Sequence, residues 1–133
     1  MMPKFKTRTV KIGDLSIGSG DFTLIAGPCS IESRSLLFEV GPVLSKYGVS
    51  AFRGGVHKMR TDCESFQGQG SSILKDLLEF KKAYKLPLVV EITDIRNIES
   101  YVEVVDLFQV GSRNMYNYPL LTELGRLKLP VLL

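Results

Sequence analysis

The sequence contains no tryptophan, a single histidine (His57) and only two cysteines, Cys29 and Cys63, among its 133 residues. Two thiols cannot build a disulfide framework, which excludes a cysteine-stapled miniprotein. No apolar run approaches the about 20 residues that cross a bilayer. The segment from Met1 to Lys11 has no apolar stretch behind its charges and does not read as a signal peptide. The expectation is a cytoplasmic chain with reduced thiols and no membrane partner. An excess of one charge is missing too: 17 basic against 14 acidic residues leave a net +3, and only Lys81-Lys82 are adjacent. Such a mild, dispersed balance predicts no nucleic-acid partner. A hydrophobic content of 44% is too high for a chain that resists collapse, so intrinsic disorder is excluded.

Short apolar runs alternate with amphipathic stretches. Phe22 to Ala26 reads as a strand closing on Gly27-Pro28. Ser30 is then placed to cap a helix with Leu37, Val40, Leu44 and Tyr47 on one face, ended by Gly48. Pro42 inside that helix should kink or split it. Ser50 to Val56 forms the second strand, followed by a polar stretch from His57 to Gly70 and a helix opened by Ser71. Leu88 to Ile92 is a continuous apolar run, as in a strand covered on both faces. Asp94 caps a third helix carrying Ile95, Ile98, Val102 and Val105. Leu107 to Val110 is the fourth strand, Pro119 begins the fourth helix, and Val131 to Leu133 forms the fifth strand.

The order is β-α-β-α-β-α-β-α-β over residues 21–133, with connections short enough to require parallel crossovers. Residues 1–20 form an N-terminal extension in which Thr7 to Ile17 can fold as a hairpin around Gly13-Asp14. A finished parallel barrel needs about 250 residues, so the expectation is a chain that copies only part of a larger fold. A small flavodoxin-like open sheet would also explain the alternation.

Polar residues gather directly after the strands, where parallel sheets place their sites. Arg53 sits inside an otherwise apolar strand, a cost that a barrel interior or a ligand must compensate. Arg53, Lys58, Arg60 and Arg113 from separate strand ends, with the hydroxyls of Thr61 and Ser112, predict a site for a small, multiply anionic, phosphorylated metabolite. Gly54-Gly55 removes bulk where a ligand could approach the backbone. Taken singly, each cation could equally be a solvated loop charge. Cys29 reads as a soft metal ligand or a nucleophile, or as a buried inert thiol. Cys63 reads as incidental. His57 reads as an acid–base group or an exposed loop histidine, and Asp94 as a helix cap.

Four segments carry a more specific signal: Ile25-Ala-Gly-Pro-Cys-Ser-Ile-Glu-Ser33, Phe52-Arg-Gly-Gly-Val-His-Lys-Met-Arg-Thr61, Ser65-Phe-Gln-Gly68 and Val110-Gly-Ser-Arg-Asn-Met115. In this order they resemble the class-I, beta-type 3-deoxy-D-arabino-heptulosonate 7-phosphate (DAHP) synthases, relatives of 3-deoxy-octulosonate 8-phosphate synthase. The resemblance implies an α/β fold of the (β/α)8 TIM-barrel family, with about the first five strands and four helices present here. It also implies condensation of phosphoenolpyruvate with erythrose 4-phosphate, the first step of the shikimate pathway, with release of phosphate. By resemblance, Arg53, Lys58, Ser112 and Arg113 bind phosphoenolpyruvate, and Arg53 and Lys58 line the reaction centre. The resemblance likewise implies that Lys58, Met59, Arg60 and Thr61 bind erythrose 4-phosphate, and that Cys29 is one ligand of a divalent metal (Mn, Fe, Zn or similar) whose remaining ligands are missing from this chain.

Met59 replaces the family's proline, Ser112 its alanine, and Asp62-Cys63 a Ser-Pro pair. The spacing Lys58-Met-Arg60 favours the heptulosonate over the octulosonate enzyme. The resemblance further implies a homo-oligomer at full length or pairing with a complementary fragment. The competing expectation is a non-catalytic, anion-binding half-barrel.

Overall fold

The computed structural model describes residues 8–58, 62, 64 and 67–133. Strands β1 (Val10–Ile12) and β2 (Leu15–Ile17) form the expected antiparallel hairpin, turning at Gly13-Asp14. Five strands follow: β3 (Ile25–Ala26), β4 (Ala51–Gly54), β5 (Leu88–Glu91), β6 (Leu107–Gln109) and β7 (Val131–Leu132). They form one parallel sheet in the order β3-β4-β5-β6-β7. Right-handed crossovers between consecutive neighbours put every helix on the same side. This is the wall of a barrel; a flavodoxin-like sheet would be ordered 2-1-3-4-5 with helices on both sides. No helix among the described residues is long and apolar enough to cross a membrane.

Strand alternation sorts the side chains into two faces. Phe52, Leu88, Val90 and Phe108 point to the helices and share one core with Leu37, Leu77, Phe80, Tyr101, Leu120 and Leu124. Ala51, Val89 and Leu107 point to the opposite, inner face, where Ile12 of the hairpin is 1% exposed against them, flanked by Leu15, Ile17 and Ile25. The hairpin thus covers the inner face at the N-terminal ends of the strands. Two residues further along the same strands, the inner face carries Arg53, Glu91 and Gln109.

Helix α1 (Arg34–Lys46) departs from expectation at both features assigned to it. Its cap is Ser33, whose Oγ accepts from Leu36 N at 3.1 Å, while Ser30 is buried. It also runs unbroken through Pro42. Proline removes the donor that would satisfy the Phe38 carbonyl, and that carbonyl accepts from the Tyr84 hydroxyl at 3.5 Å instead. Gly41 gives Tyr84 its space: a Cβ there would stand 2.3 Å from Tyr84 Cζ. Pro42, the residue expected to break the helix, and its neighbour Gly41 are therefore its docking point on α2 (Leu74–Tyr84).

A 3-10 turn, Gly70–Ile73, precedes α2. Asp94 does cap, accepting from Arg96 N at 2.9 Å, but the third helix is short: a 3-10 turn over Ile95–Asn97 and then α3, Ile98–Tyr101. Helix α4 (Tyr118–Leu127) carries Pro119 in its first turn, as expected, and Asn117 Oδ1 accepts from Leu120 N.

Glycine-to-alanine changes in α1 and α4 should have opposite signs. Gly125 has open space around its Cβ position, so Gly125→Ala should stabilise by about 1 kcal/mol through helix propensity. Gly41→Ala gains the same propensity but must displace the Tyr84 ring, and overpacking of this kind should leave a net loss of about 2 kcal/mol. Urea denaturation followed by circular dichroism checks both signs.

Candidate anion-binding site

At the C-terminal ends of the strands, Cys29, Arg53, Lys58, Glu91, Gln109 and Arg113 line a cleft of about 360 Å³, with Gly111 and Ser112. Arg53 is its centre. The side chain is only 23% exposed, and it is compensated from three directions. Nε donates to Gln109 Oε1 at 3.0 Å, Nη1 to the carbonyl of Cys29 at 3.3 Å, and Nη2 lies 3.6 Å from Glu91 Oε2. Neither Glu91 nor Gln109 was assigned to the site from sequence. Both stand at the same alternation parity as Arg53, which is the signal that could have found them.

Lys58 reaches the cleft from the segment after β4. Its N–H donates to Gln67 O at 2.7 Å, and His57 pairs across an antiparallel bridge with Gly68. Gly68 has φ of +100°, and a Cβ there would stand 2.1 Å from the Val56 carbonyl. Fixed in this way, Lys58 places Nζ 2.8 Å from Cys29 Sγ. Cys29 is exposed, which sets aside the alternative of a buried inert thiol and leaves those of a ligand or nucleophile open. The hydrogen bond from the Lys58 ammonium draws the Cys29 pKa below the ordinary thiol value, burial opposes this, and Arg53 adds to the lowering.

Gly54 and Gly55 both make room for the protein itself. A Cβ on Gly54 would meet Ile31 Cδ1 at 2.7 Å; one on Gly55 would meet the Cys29 carbonyl at 2.6 Å and Lys58 Cε at 3.2 Å. Ser112 and Arg113 open a 3-10 turn, Ser112–Asn114, directly after β6 and line the same cleft. Four sequence-predicted residues, Arg53, Lys58, Ser112 and Arg113, are therefore brought together with Cys29. Met59, Arg60, Thr61 and Cys63 lie outside the described residues.

His57 is not an exposed loop residue. Its ring stacks parallel to Tyr101, with centroids 6.2 Å apart and planes at 8°, and its Nε2 is buried with no hydrogen-bond partner among the described residues. Burial pushes the Tyr101 phenol well above its usual range. Beside His57, a second polar cavity of about 350 Å³ runs from Lys58 to Asp94 and Arg96.

A partial parallel barrel wall with a cationic cleft at the C-terminal ends of its strands places the chain in the α/β class of barrel-wall folds. The sequence profile of the DAHP synthetase I family matches residues 4–133, and the chain belongs to that family. It is 42% identical over 124 residues to the phospho-2-dehydro-3-deoxyheptonate aldolase of Thermotoga maritima, spanning 93% of this chain and 37% of the relative. It is 34% identical over 105 residues to the 2-dehydro-3-deoxyphosphooctonate aldolase of Desulfotalea psychrophila, spanning 73% of this chain and 38% of the relative. The crystal structure of the Thermotoga maritima DAHP synthase superposes with a TM-score of 0.87 at 40% identity, covering 95% of this chain and 37% of that one. A truncated form of 3-deoxy-D-arabino-heptulosonate 7-phosphate synthase from Thermotoga maritima superposes with a TM-score of 0.81 at 36% identity, over 95% of this chain and 45% of that one. The chain thus spans less than half the length of these relatives.

Asp94 provides a titration check on the wall of the second cavity. The Arg96 guanidinium, which bonds both its oxygens, and the Arg96 backbone N–H hold the carboxyl at about 2. Because the folded value is depressed, the cap's contribution is complete above the ordinary carboxylate range and is lost as pH falls from about 3.8 through about 2. Carboxyl-carbon NMR should give an Asp94 midpoint near 2, moving up towards 3.8 in Arg96→Ala.

Proposed function

We propose that this chain provides the phosphoenolpyruvate side of a DAHP synthase active site, condensing phosphoenolpyruvate with erythrose 4-phosphate to 3-deoxy-D-arabino-heptulosonate 7-phosphate and phosphate. The observation that carries the reading is the gathering of Arg53, Lys58 and Arg113 in one cleft. Three cations facing one space repel each other unless anionic groups stand among them, and Glu91 is the carboxylate that lines the cleft with them. A substrate with a carboxylate and a phosphate would supply the remaining negative charge.

Arg53 and Arg113 bring planar donors that suit carboxylate and phosphate oxygens, and Lys58 brings a mobile point charge. The contact between Arg53 and Glu91, at 3.6 Å, is longer than a charge-assisted hydrogen bond, so Nη2 keeps donor capacity for a substrate oxygen. Arg53, Lys58, Ser112 and Arg113 orient the enol phosphate and offset charge that develops as the carbon–carbon bond forms. Lys58, Met59, Arg60 and Thr61 take the phosphate and aldehyde ends of erythrose 4-phosphate in this reading. Cys29 suits the role of one ligand to a divalent metal, because its thiol is exposed at the cleft rim and biased towards thiolate by Lys58. A bound metal would polarise the aldehyde as a Lewis acid. Among the described residues no group of three His, Cys, Asp or Glu side chains could complete such a centre.

Phosphorus NMR titration of phosphoenolpyruvate into the protein tests the reading. Saturable binding is expected, and Arg53→Ala and Arg113→Ala should each weaken it about tenfold, the value of one charge-assisted contact. Absence of binding would overturn the proposal. Turnover supported by manganese with arabinose 5-phosphate, but not with erythrose 4-phosphate, would transfer it to the octulosonate enzyme.

A further inference from the structure

A larger cavity, about 570 Å³, lies at the other end of the sheet, between the β1–β2 turn and the C-terminal half of α2. It borders the residues that enter the strands: Ser50 before β4, Pro87 before β5 and Asp106 before β6. Its apolar surface comes from Leu15 of the hairpin, Leu78 of α2 and Leu86 and Pro87 of the following connection. Among the described residues no aromatic ring lines it.

Three lysines at the end of α2 border this space and are not equivalent. Lys81 is committed to the fold: Nζ donates to Asp106 Oδ1 at 2.7 Å and to the Val104 carbonyl at 3.3 Å. Asp106 in turn accepts from Leu88 N through Oδ2 at 2.8 Å. Lys82 and Lys85 are exposed, and among the described residues neither has a carboxylate partner. Two exposed lysines without a carboxylate partner among the described residues therefore border an aliphatic hollow.

We propose that this cavity binds a medium-chain aliphatic carboxylate, with its tail on Leu15, Leu78 and Leu86 and its carboxylate between Lys82 and Lys85. Several features select this chemistry. A multiply charged phosphate is disfavoured relative to a single negative charge, because among the described residues no guanidinium lines the site and Asp14 and Asp106 do. Two free lysines suit a single negative charge. The leucine and proline walls provide no ring for stacking, so an aliphatic body fits them better than an aromatic one. Both Lys82 and Lys85 have long apolar stems that can cover the tail while their charges remain in water. The proposal is independent of the chemistry assigned to the cationic cleft.

Octanoate is a suitable probe, with octanamide as its uncharged counterpart. Titrated into the full chain labelled at leucine methyls, octanoate should shift the Leu15, Leu78 and Leu86 resonances saturably. Octanamide, and octanoate against the double variant Lys82→Ala/Lys85→Ala, should each bind about tenfold more weakly, since both remove the charge-assisted contact. Undisturbed methyl dispersion in the double variant shows that it is folded, as expected for two exposed side chains. Equal affinity for octanoate and octanamide, shifts confined to other leucines, or no saturation would overturn the proposal.

Discussion

A guanidinium on the inner face of a parallel sheet has to replace the water it leaves with fixed acceptors, and at Arg53 those acceptors come from different strand ends. Gln109 belongs to β6, Glu91 to β5, and the Cys29 carbonyl to the connection after β3. An unpaired charge at this depth would cost several kcal/mol, so the fold cannot lose one of these strand ends without exposing or orphaning the arginine. The requirement is reciprocal, because Glu91 is 20% exposed and Arg53 is its ion-pair partner. The cleft is thus the solvation shell of one side chain, and its lining residues are placed by that demand before any substrate is considered.

The same face is apolar one layer below. Ala51, Val89 and Leu107 precede Arg53, Glu91 and Gln109 by two residues on their strands, and the hairpin residue Ile12 packs against them. A two-residue period therefore gives each strand one residue for the covered base and one for the site, while the intervening residues, Phe52, Val90 and Phe108, belong to the helix side. Sliding any strand by one residue would put Arg53 among the phenylalanines and Phe52 in the cleft. Register is consequently specified by charge as well as by hydrophobic pattern, and the hairpin contributes to the site by holding the lower layer out of water.

Elements that depend on local pattern were legible in the sequence: the hairpin, all five strands, the fourth helix and the convergence of Arg53, Lys58, Ser112 and Arg113. Features decided by a distant partner were not. Ser30 and Ser33 are both acceptable caps, and the choice follows from burial of Ser30 beside β4. Pro42 reads as a helix breaker until the Tyr84 hydroxyl is seen taking the orphaned Phe38 carbonyl. Asp94 caps as expected, yet periodicity through Val105 overstated a helix that ends at Tyr101. Between the alternatives left open for Cys29 and His57 the sequence could not choose, because the exposure of a loop side chain depends on what packs beside it: Lys58 on the thiol, Tyr101 on the imidazole. Glu91 and Gln109 were invisible for a different reason. A polar residue closing a strand is ordinary, and only its parity with Arg53 across two neighbouring strands gives it meaning.

The glycines of the cleft bear on whether it is shaped by its ligand or before it. A Cβ at Gly27 would stand 1.9 Å from the Arg53 carbonyl, one at Gly55 would stand 2.6 Å from the Cys29 carbonyl, and one at Gly111 would stand 2.2 Å from Glu91 Oε1. In each case the missing side chain admits an atom from the neighbouring strand end. Gly27 brings the first connection onto β4, Gly55 brings β4 onto the segment holding Cys29, and Gly111 lets Glu91 lie against the end of β6 while facing Arg53. Two of the three close approaches are to backbone carbonyls and the third is to the Glu91 carboxylate, so the cleft is framed by backbone on the Cys29 side and by one seated side chain on the β6 side. Donors held in that way reach their positions without reorganisation when an anion arrives, which is the condition under which cationic groups favour developing charge over merely binding it. In the function proposed above, the glycines would supply the frame of the site, and Lys58, whose four-carbon stem reaches Cys29, would supply its moving part.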